Sequence, residues 1–588
     1  MEQLMGLLDV VNGVIWHPIV LYVVLGVGIL FTIWSGIGQF RALTHGTAVI
    51  RGKYDDKDDP GAINHFQALS AALSATVGLG NIGGVAVAVA LGGPGAVFWM
   101  WMVGIAGMSL KMVEVTLSML YRDTSDPENP HGGPMFVAAK GFKERGMGTF
   151  GKFVGGIFVV TLLISTITGG NMFQSWNVAE VTETYFGIPS PVVGIVLAVL
   201  VGMVILGGIK RIGSVAGKIV PLMCAIYLIA AIVVLAMNIG KIPDILVLIV
   251  TEAFSPSEAT GAFLGGTAGY ALLWGMKRAL FSSEAGQGSS PIAHSAAKTD
   301  EPVREGIVAG LEPFIDTIVV CTLTALVILS TGTHNRGSEA TFAEPFAVVS
   351  DGPGSYTIDS QVLPSRNADA RRVAGGQGWT PGTDVFVIVA GDENGNTGLN
   401  LHRINGTVIE IDAPNAPDGV ERQIEWGSID SEAVVMPAPT HEFELYADYS
   451  GASLTAHAFD RAIPGLGKWL ITLAAWLFAL STMISWSYYG EQGIVYLFGD
   501  KAVIPYKLVY CLLIVVAALG FIKTDAELDS FTALGTGVML WANIPIMLIF
   551  GSVAMKAYRN YVDRLKNGQL DSHEAPSITD VVEGKDIE

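Results

Sequence analysis

Charge is scarce in this chain, and cysteine scarcer. Only 15% of the 588 residues are Asp, Glu, Lys or Arg, against 51% hydrophobic, and the mean hydropathy is +0.49. One soluble core cannot absorb so much apolar surface, so the balance points to a polytopic membrane protein. The three cysteines, Cys224, Cys321 and Cys511, all lie in apolar runs without ligand spacing, which excludes a disulfide framework and leaves them as packing residues. Basic residues number 34 against 53 acidic ones, and no basic stripe or recognition motif is present, so no nucleic-acid partner is expected. There is no His-Glu-x-x-His or comparable catalytic string; the chain reads as no enzyme, with no cofactor. The N-terminal stretch Met1 to Gly13 lacks a basic region and no small-residue cleavage site comes after it, so the first apolar run reads as a retained span.

The long hydrophobic runs are what the chain has in abundance. A bilayer crossing takes ~20 residues, and eleven candidate spans fall at about 14–37, 66–91, 95–120, 153–177, 188–208, 213–238, 267–298, 305–330, 467–490, 503–521 and 531–555. Lysine and arginine cluster after span 1 (Arg41, Arg51, Lys53, Lys57), after span 3 (Arg122, Lys140, Lys143, Arg145, Lys152), after span 5 (Lys210, Arg211) and after the last span (Lys556, Arg559, Arg564). The positive-inside rule puts all of these in the cytoplasm, the N-terminus outside and the protein in the inner (plasma) membrane. The chain then divides into helices 1 to 8 over 1–330, an outer insertion over 331–464, helices 9 to 11 over 465–555, and a cytoplasmic tail over 556–588.

Two spans carry interruptions. Ser74-Ala75-Thr76-Val77-Gly78-Leu79-Gly80-Asn81-Ile82-Gly83-Gly84 puts four glycines and an asparagine where an anchor would carry leucine. Backbone freed by a break cannot face lipid, so it faces protein or a ligand cavity; close helix packing through glycine is the alternative. The second interruption is Ser283-Glu284-Ala285-Gly286-Gln287-Gly288-Ser289. The Gly-x-Gly pairs superpose, and each second glycine precedes a proline, Pro94 or Pro302, by fourteen residues. Spans 2 and 7 cross in opposite directions on the count above. The expected fold is therefore all-α, an extra helix (14–37) and an inverted five-helix repeat, 66–238 and from about 267, each half starting with a broken helix.

The insertion is different in kind. From Thr331 to Asp460 there are nineteen acidic residues, six arginines and no lysine, and short alternating runs such as Asp384 to Val389, Thr407 to Ile411 and Glu442 to Tyr446 predict a small β-rich module. Its partner is not legible. Among charged residues inside spans, Lys111 and Glu114 can pair three apart on one helix. Glu312 and Asp316 share a face of span 8 and either place a cation or proton or cap buried polar groups.

Five strings in order resemble the alanine or glycine:cation symporter family: Ala75 to Ile82, Gly132-Gly133-Pro134-Met135, Gly170-Asn171-Met172-Phe173-Gln174, Lys277 to Gly286, and Ser485 to Glu491. The resemblance covers nearly all the chain except the insertion, and departs from the family at Ser283, where asparagine is expected. It implies the architecture of the bacterial leucine transporter and import of a small neutral amino acid with sodium. A proton-coupled transporter is the alternative, and a channel or a receptor are further ones. The substrate carboxylate is expected at the half-helix N-terminus around Gly78, Leu79, Gly80 and Asn81. Its ammonium is expected at unwound carbonyls of Phe281, Ser282 and Ser283 and at Gln174, with Phe173 and Trp486 closing the space. By resemblance, sodium would be held by carbonyls of Thr76 and Val77 with Ser481 and Thr482; hydroxyl bonding of the latter two to their own helix is the other reading.

Overall fold

The computed structural model describes residues 2–56, 58–412, 420–520 and 525–570. Lys57 and the end of the expected cytoplasmic tail, 571–588, lie outside them. Two helices open the chain, α1 (Glu2–Ile15) and α2 (Pro18–Trp34), with proline at the first helical position of α2, where no amide partner is lost. The first interrupted segment comes next as α3 (His65–Thr76) and α4 (Val85–Gly92), and then α5 (Gly95–Tyr121), α6 (Gly148–Ile167), α7 (Phe173–Phe186), α8 (Ser190–Ile205) and α9 (Gly208–Met237). The second is α10 (Ala268–Ser283) and α11 (Ser290–His294), with α12 (Pro302–Ala309) and α13 (Thr322–Ser330) behind it. After the strands come α14 (Gly451–Ala462), α15 (Leu466–Phe498), α16 (Val503–Ala517) and α17 (Asp525–Lys566).

Among the described residues, seven helical segments are long and apolar enough to cross a membrane, and α3 with α4, bent by 55°, makes an eighth. This is a multi-pass membrane protein. Leucine, isoleucine and valine face outward along α2, α8 and α9, while small and polar side chains are buried in α3 and along most of α5. That inversion is what lipid demands: the outside must be apolar, and only packed helices can host polar groups.

The strands lie between α13 and α14. Ala340–Thr341 (β1), Asp384–Asn394 (β2), Leu399–Asp412 (β3), Val420–Trp426 (β4) and Glu444–Ala447 (β5) form an antiparallel sheet in the order β1-β5-β2-β3-β4. Val387 pairs with Ile404 and Asp384 with Thr407. Because β2 is central, both its faces are buried: Val385, Val387 and Val389 in one cluster, Phe386 and Ile388 in another with Ala262. This explains its near-continuous apolar run. Arg403 ties the sheet to the segment before α10, donating to the Ala262 carbonyl at 2.6 Å and stacking over Phe386.

Of the four π-helical turns among the described residues, Gly80–Gly84, Thr168–Met172 and Phe314–Cys321 carry fully buried polar residues in the bundle interior. A π turn shifts the hydrogen-bond ladder by one residue, a distortion that concentrates at functional sites. These turns carry Asn81, Asn171 and Asp316, all fully buried.

Candidate functional site

Helix α3 starts on a capping box, Asn64 with Gln67, and runs to Thr76. Val77 is extended, with ψ 100°, and the chain re-enters helix at the π turn. Asn81 organises this break. Its Oδ1 accepts from the Gly78 amide at 2.8 Å, while its Nδ2 donates to Ser282 Oγ at 2.9 Å and to the Asp316 carbonyl at 3.1 Å. One side chain thus joins the first break, the last turn of α10 and the π turn before α13. The Asn81 amide itself bonds the Gly78 carbonyl, so the orphan donors opening the second half-helix are those of Leu79 and Gly80.

The second interruption is built differently. Helix α10 stays regular through Ser283 and ends on Glu284 in the left-handed region, φ 52°. The expectation of unwound carbonyls at Phe281 to Ser283 is therefore corrected: they belong to the last helical turn, whose carbonyls lack a following amide and form the negative end of the helix dipole. The Ser283 hydroxyl donates to the Ala279 carbonyl of its own helix at 2.9 Å. The Phe281 ring stacks on Trp16 at 4.8 Å, turned toward the first helices.

The two Gly-x-Gly pairs do unlike work. Gly286 and Gly288 have φ of +82° and +83°, where a side chain is strained. Gly78 and Gly80 have no such angle. A Cβ at Gly78 would sit 3.2 Å from Thr482 Oγ1, whereas Gly80 is exposed with nothing within 4 Å. Open space in mid-bundle beside an orphan amide is room for a ligand. Gly80→Ala should accordingly leave the fold intact, since the added methyl meets open space, whereas Gly78→Ala must displace Thr482 and cost about 1–3 kcal/mol of stability. Thermal unfolding of the two variants in one detergent separates the outcomes; equal losses would show that the space at Gly80 is not open.

Ser481 and Thr482 of α15 both reach α3 at the Ser74 carbonyl, at 3.3 and 3.2 Å. Ser74 Oγ returns a bond to the Ser481 carbonyl at 2.7 Å, and Ser481 also bonds its own helix at Phe478. The reason is register: α3 is still helical at Ser74, so its last-turn carbonyls point at α15. One turn along α15, Trp486 packs on Gly170, where a Cβ would fall 2.5 Å from the tryptophan Cβ. Gln174, on α7 after the π turn, donates to the Gly169 carbonyl at 3.0 Å, and its buried Oε1 has no partner. Phe173 beside it is half-buried.

Two further orphans are decisive. Asp316 is fully buried; its Oδ1 accepts from Thr317 Oγ1 at 2.5 Å, but its Oδ2 has no hydrogen-bond partner. The Thr76 hydroxyl, buried in the same region, faces the Asp316 carboxyl without a hydrogen bond to it or to any other group. A carboxylate with one bare oxygen in a membrane interior is costly unless a cation or proton completes it. The sequence marks Asp316 as an intramembrane acid; its meeting with Thr76, Asn81 and Ser282, and the role of Thr317, carry no sequence signal.

The sodium:alanine symporter family profile matches residues 1–350 and 433–575. The chain belongs to this family. The stretch it leaves unmatched, 351–432, holds strands β2, β3 and β4. The sodium/alanine symporter AgcS of Methanococcus maripaludis is 32% identical over 562 residues, covering 96% of this chain and 98% of its own. A Bacillus subtilis relative described as "Probable sodium/glutamine symporter GlnT" is 35% identical over 357 residues, 60% of this chain and 72% of its own. The solved structure of MhsT with L-phenylalanine overlaps 89% of this chain and 98% of that one with a TM-score of 0.43 at 13% identity, too loose to assign helix by helix. As a member of the sodium:alanine symporter family the chain is a cation-coupled amino-acid symporter, not an enzyme.

Proposed function

We propose that this symporter imports a small neutral amino acid, alanine or glycine, with sodium by alternating access. The observation that carries it is the pair of unsatisfied oxygens, Asp316 Oδ2 and Thr76 Oγ1, beside the junction of the two breaks. Sodium seeks oxygen ligands, and a carboxylate with a bare oxygen next to a free hydroxyl is such a set. Ser481, Thr482 and the end-of-helix carbonyls from Ser74 to Val77 supply a second. The substrate carboxylate takes the amides of Leu79 and Gly80, and its ammonium the Gln174 oxygen and the last carbonyls of α10. The open space at Gly80 is room for a small side chain.

In this reading the two halves are inverted repeats over 66–238 and from about 267, each opening with a broken span. Residues 331–464 stand on the outer face, the N-terminus is outside, and the tail is cytoplasmic in the inner membrane. Helix α14 then roofs the site from outside, Thr455 donating to the Ile82 carbonyl at 3.0 Å.

A neutral zwitterion entering with one sodium carries one charge, about 2.3 kcal/mol per 100 mV of membrane potential. Uptake of L-alanine or glycine into proteoliposomes should therefore respond to potential and vanish when choline replaces sodium at fixed pH. Asp316 favours one rival, since a bare carboxylate oxygen can also take a proton. Equal uptake in choline driven by a pH gradient would establish that rival.

A further inference from the structure

A second buried polar cluster is centred on Glu312, four residues before Asp316. His294, the last residue of α11, is fully buried between two carboxylates: Nδ1 lies 2.5 Å from Glu305 Oε1 and Nε2 lies 2.8 Å from Glu312 Oε1. An ionised carboxylate only accepts, and a neutral imidazole has a single N–H. Both contacts are hydrogen bonds only if the bridge holds one proton more than a neutral ring and two carboxylates possess.

The surroundings call for that proton as well. Helix α3 contributes His65, whose Nδ1 bonds Glu305 Oε2. Helix α5 contributes Lys111, 3.4 Å from Glu312 and 3.6 Å from Glu114, with Ser290 completing its coordination at 2.7 Å. Arg122 at the end of α5 acts on Glu305, Glu284 and Asp316 act on Lys111, and Tyr489 of α15 faces Glu312 and Glu114. Asn543 of α17 donates to Glu114 at 2.9 Å. Glu305 and Glu312 bring two carboxylates to the bridge against one cation, Lys111, so a proton on His294 brings the set to neutrality.

The bonds join separate elements: α3 to α12 through His65, and α11 to α12 through His294. The same end is latched by Arg122, which donates to the carbonyls of Pro60, Ser295, Ala297 and Thr299. We propose that the His294–Glu305–Glu312 bridge is a proton-binding site that holds this end of the bundle shut, and that loss of its proton releases α11 from α12. Deprotonation turns one ring nitrogen into a lone pair facing a carboxylate, so a bond becomes a repulsion. The transport reading enters only in assigning the proton to the cytoplasmic solution, the side of Arg122 by the positive-inside rule.

The test is amide hydrogen exchange of the purified full-length protein in nanodiscs between pH 6 and 9, corrected for intrinsic exchange rates. One proton linked to opening raises the open population by up to tenfold per pH unit over the range where it leaves. Protection over 59–66 and 290–309 should fall with rising pH by that factor, while 384–412 stays constant. His294→Gln should abolish the slope and His65→Gln should keep it. A flat wild-type profile overturns the proposal without any variant, as does an unchanged slope in His294→Gln or a slope lost only in His65→Gln. A pH-dependent profile in a protein that takes up no alanine upholds the proton site and counts against the proposed transport.

Discussion

Asp316→Asn is expected to raise the sodium concentration needed for half-maximal uptake by roughly ten- to 150-fold. The change keeps the side chain's shape and the Thr317 contact but removes the charge on the oxygen that has no protein partner. A charge-assisted contact is worth about 1.5–3 kcal/mol, and each ~1.4 kcal/mol is tenfold. Thr76→Val, which removes one neutral ligand and no charge, should cost less, near tenfold or below. The measurement is the sodium dependence of amino-acid uptake or of substrate binding to purified protein. If Asp316→Asn keeps its sodium half-saturation within about twofold, the cation lies elsewhere, and the Ser481–Thr482 set becomes the candidate.

Lys111→Met should produce the largest loss of stability. The ammonium is fully buried, within 3.4 and 3.6 Å of Glu312 and Glu114 and bonded to Ser290. Removing one member of a buried ion cluster leaves the others uncompensated, at a cost of about 3–5 kcal/mol. Methionine matches the stem in length, so the loss is electrostatic and not a cavity. Adding Glu114→Gln to Lys111→Met should recover part of it, because one of the stranded charges is then gone. Thermal unfolding of the purified proteins in one detergent measures both. A single variant that melts with wild type, or a double variant worse than the single, would show that the cluster is not held by charge balance.

The two clusters are separate in chemistry. Around Asp316 the partners are hydroxyls, carbonyls and amides with two oxygens left bare, an arrangement that accepts an ion. Around His294 the carboxylates are answered by nitrogen, an arrangement that closes on itself. Both sit on α3 and its neighbours, so substrate and cation would act on the element that bends at Val77 and the proton on the α11–α12 contact beside it.

What this chain determined in its sequence was its relation to lipid. Apolar runs of bilayer length, glycines with an asparagine inside one of them, and acids placed in others are readable because each is an exception to a rule that hydrocarbon enforces residue by residue. The family strings were readable for the same reason, being concentrated at those exceptions. The tertiary structure decided which exceptions meet. It showed that Asn81 bridges Gly78, Ser282 and Asp316, that Ser283 turns back on its own helix, and that Ser481 and Thr482 find the Ser74 carbonyl. It also showed that the paired Gly-x-Gly strings differ, one providing left-handed turns and the other open space. Spacing alone dictates none of this. A helix fixes where its own side chains point, but which carbonyl stands opposite depends on the offset between helices 200 to 400 residues apart in the chain, and on π turns that shift that offset by one residue. His294 carried no sequence signal, because a lone histidine acquires its chemistry only when Glu305 and Glu312, from the segment after it, close around its ring.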